Sequence, residues 1–171
     1  MLKSNNKFSA LLIALITLMV TGAGFAQRHF MLANAARPEV KVQLAATVQR
    51  DAKWLPLEKS TVVNPGDVLD WTITSENSGH AAALEYKTVG HIPRGTEYVA
   101  GSAKADGAKA VYSIDGGKTF SPQPMIEEKQ PDGSVKRVPA PSSMYTEVRY
   151  EWADPLAQGG KLSASYKVRV K

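Results

Sequence analysis

Cysteine is absent from this chain of 171 residues. Disulfide bonds, thiol catalysis and cysteine-ligated metal sites are therefore excluded, whereas the cellular compartment is left open. A chain of this length is sufficient for one domain, and its hydrophobic core needs no covalent or metal support.

Common enzyme and metal motifs are also missing. The chain contains neither the G-x-S-x-G sequence of serine hydrolases nor the D-x-D-x-D-G sequence of calcium loops. We therefore predict that the protein is not an enzyme, and we assign no catalytic residue, no cofactor and no metal ligand.

Acidic residues do not occur in the first 35 positions, where Lys3, Lys7 and Arg28 are the only charged residues. They contribute much of the formal net charge of +5, so the remaining sequence is close to neutral, and its basic residues are scattered. Nucleic-acid binding usually requires a basic face or stripe. Nucleic acid is therefore not expected as a partner.

The start of the chain, residues 1–35, is predicted to be a helical signal peptide. Two lysines precede an apolar stretch over residues 8–20, which is the order of a positive n-region and an apolar h-region. Small residues then permit cleavage after Ala26 or after Ala35. A retained membrane anchor is the alternative, because the stretch nearly reaches the roughly 20 apolar residues of a membrane span. Cleavage predicts an extracytoplasmic protein, which is periplasmic, secreted or at the cell surface and contacts the membrane only before cleavage.

Residues 36–171 are predicted to form a single all-β domain, because apolar residues recur at every second position. The alternation is clearest over residues 40–48, 69–73, 148–152 and 162–170. Turn sequences rich in glycine, proline and asparagine separate these segments. The pattern predicts an immunoglobulin-like antiparallel β-sandwich of about seven to nine strands.

Shorter strands are predicted at residues 84–86, at residues 98–99 and on both sides of the turn at residues 115–117. Residues 121–143 are rich in proline, glutamate and lysine. We predict that they form an exposed excursion with a short hairpin.

Three motifs occur in an order that resembles a known family. They are the turn and strand at residues 64–74 with Asn-Ser-Gly at 77–79, the proline corner at residues 91–99, and the turn and last strand at residues 155–170. In this order they resemble DUF11, a conserved repeat domain of bacterial and archaeal surface proteins. The resemblance covers roughly residues 60–171.

This resemblance implies an immunoglobulin-like fold, a cell-envelope or extracellular setting and no catalytic residue. Family members often have an aspartate just before the proline corner, where this chain has Gly90 and His91. Any ionic or structural role of that aspartate is therefore in doubt here. Many relatives carry several copies in tandem, whereas this chain has one.

Residues 113–120 have the form of an Asp-box, the hairpin motif of sialidases and other secreted proteins. Asp115 stands in the turn and is followed by Gly116 and Gly117. An aspartate in such a turn accepts hydrogen bonds from backbone N–H groups, while glycines take positive φ angles. We expect a structural hairpin and not a carbohydrate site.

Two sets of possible metal ligands are interpreted as surface groups. His80 and His91 are the only histidines after residue 35, and Asp67, Asp70 and Glu85 are carboxylates that would have to meet at one sheet end to hold calcium. Neither set has the spacing of a known ligand motif.

The tryptophans and one lysine–asparagine pair complete the candidates. Trp71 and Trp152 are on the apolar phase of their strands and are predicted core residues, whereas Trp54 is the indole expected to be exposed. Lys41 and Asn77 are formally available for an isopeptide crosslink. Lys41 is on the polar phase of its strand, and the reaction needs a buried acid, so no crosslink is expected.

Two functions are consistent with this sequence. The first is that of an exported, non-enzymatic structural or interaction protein, which contacts other envelope or extracellular proteins. The alternative is a small secreted glycan-binding module. We add the hypothesis that residues 40–48 pair with the sheet of another copy of the chain, because a terminal strand is held by a single connection. In the alternative arrangement this strand closes its own sandwich.

Overall fold

A computed structural model describes residues 36–58 and 62–171. The predicted signal peptide, with Ala26 and Ala35, lies outside the described residues. Arg37–Lys171 form one compact unit. In the described part of the chain, no helix is long and apolar enough to cross a membrane.

Strands provide nearly all of the regular structure. A short 3₁₀ helix covers Ser142–Met144. Eleven strands are present among the described residues: β1 Val40–Arg50, β2 Lys53–Pro56, β3 Val68–Asn77, β4 Lys87–His91, β5 Thr96–Tyr98, β6 Lys104–Ala105, β7 Ala108–Ser113, β8 Met125–Lys129, β9 Val135–Pro139, β10 Glu147–Trp152 and β11 Lys161–Val170.

Two antiparallel sheets form the body of the domain. The larger sheet has the order β2-β1-β3-β11-β5, with β6 also paired to β11, and the smaller sheet has the order β4-β10-β7. Strands β8 and β9 form a separate two-stranded hairpin. The predicted all-β sandwich is confirmed, and so is the predicted hairpin in the excursion.

The core lies between the two sheets because each central strand turns alternate side chains inward. In β10, Val148, Tyr150 and Trp152 are buried, while the residues between them face the other way. Their neighbours from the larger sheet belong to β1, β3, β5 and β11. The buried cluster consists of Val48, Leu69, Ile73, Tyr98, Val148, Tyr150, Trp152, Ala164, Tyr166 and Val168.

The polar tips of two buried aromatic side chains are hydrogen-bonded to backbone carbonyls. The Tyr150 hydroxyl donates a hydrogen bond to the Ser165 carbonyl at 2.6 Å, and the Trp152 Nε1–H group donates to the Asp106 carbonyl at 3.0 Å. These bonds satisfy the polar tips of rings that are otherwise buried.

The structure differs from the expectation in strand number and in two segments. Eleven strands are present among the described residues instead of seven to nine, and β2 and β6, with four and two residues, were not predicted. The strand predicted at residues 84–86 begins instead at Lys87, since Glu85 has a φ angle of 48°, which an extended strand does not permit. Residues 118–120 form no strand, and only Ser121 bridges back to Tyr112.

Candidate functional site

The Asp-box residues form a closed turn after β7. Asp115 Oδ1 accepts hydrogen bonds from the Ser113 hydroxyl at 2.8 Å and from the backbone N–H groups of Lys118 and Thr119 at 3.0 Å each. Its Oδ2 accepts a hydrogen bond from the Thr119 hydroxyl at 2.6 Å. Hydrogen bonds from the Thr119 side chain and backbone lower the pKa of Asp115 to about 2. The carboxylate is thus fully used inside the turn, as the structural interpretation requires.

This turn also covers part of the smaller sheet's outer face. Gly117 lies so close to the Glu147 carboxylate that any side chain at this position would clash with it. Phe120 lies beneath the Arg149 guanidinium, whose Cζ is 3.9 Å from the ring centroid. The Asp-box therefore places small and aromatic residues over charged ones, which is a packing role.

The two histidines occupy separate strand ends. His91 Nδ1 lies 2.9 Å from Glu147 Oε1, and its side chain is exposed. His80 is exposed in the loop after β3, where its backbone N–H group bonds to the Arg37 carbonyl. Among the described residues, no group of three histidine or acidic side chains is arranged to hold a metal ion.

The three carboxylates considered for calcium do not meet. Asp67 pairs with Arg50, and the Asn64 backbone N–H group lowers the pKa of Asp67. Asp70 forms an ion pair with Lys167 at 3.4 Å. Glu85 is near the opposite end of β3, because the neighbouring Tyr86 bonds there to Ser75 at 2.8 Å.

The tryptophans differ in exposure. Trp152 is buried at 7% exposure, and Trp54 is 38% exposed, as expected for both. Trp71 is only partly buried and packs against the edge of the core. One face of the Trp54 ring is covered by the Lys167 ammonium group, 4.2 Å from the ring centroid. This contact occupies a surface that a stacked sugar would need.

Lys41 and Asn77 have unrelated roles. The Asn77 side chain is buried, donates to the carbonyls of Ala81 and Leu156, and accepts from the backbone of Glu39 and Gly79. Lys41 is exposed and lies 3.9 Å from the Glu39 carboxylate. Asn77 thus ties the chain before β1 to the turn after β3, and its amide nitrogen is already engaged.

A wide concavity of about 660 Å³ lies at one end of the smaller sheet. Glu85, Lys87, Lys109 and Glu151 line it, together with the nearly buried Trp152. The charges of the two acids and the two lysines balance, so the concavity has no strong electrostatic field of one sign. This surface is therefore a weaker candidate for a binding site than the one described next.

The two sheets do not match in width, and this leaves one side of the sandwich open. Strand β1 lies on the same side as β4, because Leu44 and Val89 line a common groove of about 150 Å³. Val42 and Leu44 are on the inward phase of β1, yet they are 55% and 59% exposed. We call this region, comprising Val42, Leu44 and the outer edge of β4, the open side.

Gly90 and Tyr166 explain how the open side is shaped. The Tyr166 ring lies against Gly90, where any side chain would clash with it. The Tyr166 hydroxyl donates to the His91 carbonyl at 2.5 Å, and burial raises the pKa of Tyr166 far above its ordinary value. Gly90 thus serves packing here. The sequence predicted neither this contact nor the open side.

The opposite side of the sandwich is closed by three tyrosines, Tyr98, Tyr112 and Tyr145, which we call the tyrosine cluster. The ring centroids of Tyr112 and Tyr145 are 4.8 Å apart, and those of Tyr98 and Tyr112 are 5.3 Å apart. The Tyr98 hydroxyl lies 3.2 Å from that of Tyr112 and accepts the Ala103 N–H group at 3.0 Å. Burial raises the pKa of Tyr112 and of Tyr145.

The chain was also compared with known proteins. No protein-family model, no curated protein and no solved structure matches it. The resemblance to DUF11 therefore stays a prediction.

Proposed function

We propose that this chain is an exported, non-enzymatic protein of the cell envelope or the extracellular space, and that it acts through contacts with other proteins. The export part rests on the signal-peptide pattern of residues 1–35. The setting agrees with the resemblance of roughly residues 60–171 to DUF11, a domain of surface proteins.

The open side is the observation that carries the contact function. Leu44 and Val89 line one groove, and Val42, on the same phase of β1 as Leu44, is also exposed. Contiguous apolar patches mark interaction sites when polar residues surround them. The polar residues of the Asp-box and around Asn77 are engaged within the fold itself. Apolar contact surface is thus the property that the domain offers to other molecules.

Localisation and partners can be tested in one experiment in the native host. Envelope and cytoplasmic fractions are separated, the intact mass of the chain is measured, and proteins crosslinked to it are identified. We expect an envelope or secreted form that begins at Gln27 or Ala36, with envelope or extracellular proteins among the crosslinks.

A charged residue in the apolar stretch supplies the matched control. Leu15→Arg interrupts the h-region and should leave the full-length chain in the cytoplasm. A wild-type chain that stays uncleaved in the cytoplasm would disprove export. An exported chain that crosslinks to no protein and is retained on host glycans would favour the glycan-binding alternative.

A further inference from the structure

Strand β4 has one edge with which no strand among the described residues pairs. The Ile92 N–H group bonds to the Thr146 carbonyl at 2.9 Å, and the Trp152 N–H group bonds to the Tyr86 carbonyl at 3.3 Å. Bonding alternates along an antiparallel ladder, so the even-numbered residues of β4 face β10. The backbone groups of Lys87 and Val89 therefore point away from the sheet.

The other edges of the two main sheets are protected only in part. Strand β2 presents Pro56 outward, because the neighbouring Leu57 N–H group is the one that bonds to β1, and a proline offers no donor to an added strand. Tyr112 of β7 is bonded to Ser121 in both directions, at 2.8 and 2.9 Å, whereas Ala108 and Ala110 have no partner on this edge among the described residues. On this side the tyrosine cluster already lies between the sheets, so an added strand would gain no comparable apolar burial. Strands β5 and β6 have three and two residues, which is too short to guide an added strand.

The first half of β1 has a free edge as well, but an added strand there would leave the apolar side chains uncovered. Such a strand would extend the larger sheet sideways, beyond Val42 and Leu44. A strand added to β4 would instead lie opposite β1 and bury both residues. The β4 edge is therefore the position at which backbone pairing and apolar burial occur together.

The charges around the edge indicate the sequence that fits. Lys87 is exposed and takes part in no ion pair within the described residues. Glu151 lies opposite it on β10 but forms its ion pair with Arg149, at 2.6 Å. Arg94 is also exposed, in the corner after β4. An added strand would place alternate side chains toward Leu44 and Tyr166, and the others beside Lys87. Apolar residues suit the first set, and acidic residues suit the second.

We propose that the edge of β4 accepts an extended segment of a partner protein, in which apolar residues alternate with acidic ones. This deepens the proposed contact function and rests on it. A second copy joined edge to edge through β4 does not fit. Antiparallel pairing would place both larger sheets on the same side, where their overhanging β1 strands would collide.

The test uses a short soluble synthetic peptide of repeated valine–glutamate units and the domain from Ala36 to Lys171. Affinity is measured by calorimetry, and the backbone amide signals of β4 are followed by NMR. We expect saturable binding with shifts at Lys87 and Val89. A peptide of the same composition with its valines grouped together should bind at least about tenfold more weakly, because its alternation is lost.

Val89→Pro is the decisive variant, because it removes an outward N–H group without disturbing the bonds to β10. It should weaken binding at least about tenfold, since backbone bonds supply the affinity of strand addition. Val89→Thr keeps the N–H group and is the matched control. Leu44→Ser should weaken binding through the apolar contact, and thermal melts verify that each variant is folded.

Three outcomes would overturn the proposal. They are no binding of the alternating peptide, equal binding by Val89→Pro, and self-association in sedimentation that Val89→Pro abolishes, which would make a second copy the occupant. Envelope crosslinks without peptide binding would remove this site but leave the proposed function. Peptide binding by a chain that remains in the cytoplasm would support the β4 site but disprove the proposed function.

Discussion

The two sides of the sandwich are completed to different degrees. On the side of β5 and β7, the tyrosine cluster fills the gap between the sheets, and Tyr98 is only 3% exposed. On the side of β1 and β4, Leu44 is 59% exposed. Both sides are built from alternating strands, so the difference comes from what lies opposite each strand. An edge that is left uncovered in this way is where the molecule has free energy of burial still to gain.

The largest effect is expected from Tyr98→Ala on the closed side. The substitution removes a buried ring together with its bond from the Ala103 N–H group, and it should lower the free energy of unfolding by about 3–5 kcal/mol. Urea unfolding measures this change. A loss below about 1 kcal/mol would mean that the tyrosine cluster does not close the domain.

The next largest effect is expected from alkaline pH, which should lower the free energy of unfolding through the tyrosines of the closed side. Because burial raises the pKa of Tyr112 and Tyr145, the folded protein favours the neutral phenols. The neutral phenols contribute fully to the free energy of unfolding below the ordinary tyrosine pKa of about 10, and this contribution is lost as the pH rises above that value. Urea unfolding at a series of pH values tests this sign. Tyr112→Phe should show a smaller decline, and a stability that rises above pH of about 10 would contradict the assignment.

Trp71→Ala tests how well the sandwich is packed next to the open side. Trp71 is partly buried beside the open side, so its removal should cost roughly 2 kcal/mol, less than the about 3–5 kcal/mol of a fully buried aromatic residue. Trp152→Ala, at a position only 7% exposed, is the matched control and should cost the larger amount. Equal losses in thermal or urea unfolding would show that the groove is closed in solution.

The smallest effect is expected from Leu44→Ala. A side chain that is mostly in water loses little on truncation, so the free energy of unfolding should change by less than about 0.5 kcal/mol. Val48→Ala on the same phase of β1, where Val48 is 2% exposed, should cost about 2 kcal/mol. A large loss from Leu44→Ala in the same urea experiment would mean that the open side is already covered.

The strands with long alternation were predictable, and the short ones were not. The patterns of β3, β10 and β11 extend over enough residues to indicate both the element and its buried face. Strand β2 is missing from the prediction because its four residues are all exposed and show no alternation. Strand β4 was placed too early because Leu84 and Tyr86 alternate with Glu85, whereas the positive φ angle of Glu85 interrupts the extended backbone there.

The candidate site was harder to predict than the fold. The local chemistry of the Asp-box follows from a few adjacent residues, and its hydrogen bonds agree with the expectation. The open side depends on Leu44 of β1 and Val89 of β4, which are far apart in the chain. No local pattern states that they line one groove, because the pairing order of the strands decides it.

The sequence by itself determined the class of this protein and the inward phase of its long strands, because alternation chooses a face of the strand wherever that strand is placed. In this structure residues 40–48 pair within their own domain, which is the alternative to pairing with another copy: β1 pairs with β3 over nine positions and with β2 over four. Only the tertiary structure decided how deeply each inward residue is buried. Val48 and Leu44 share one phase of one strand, but Val48 belongs to the buried cluster, whereas Leu44 lines an open groove. Burial requires a packed layer opposite the residue.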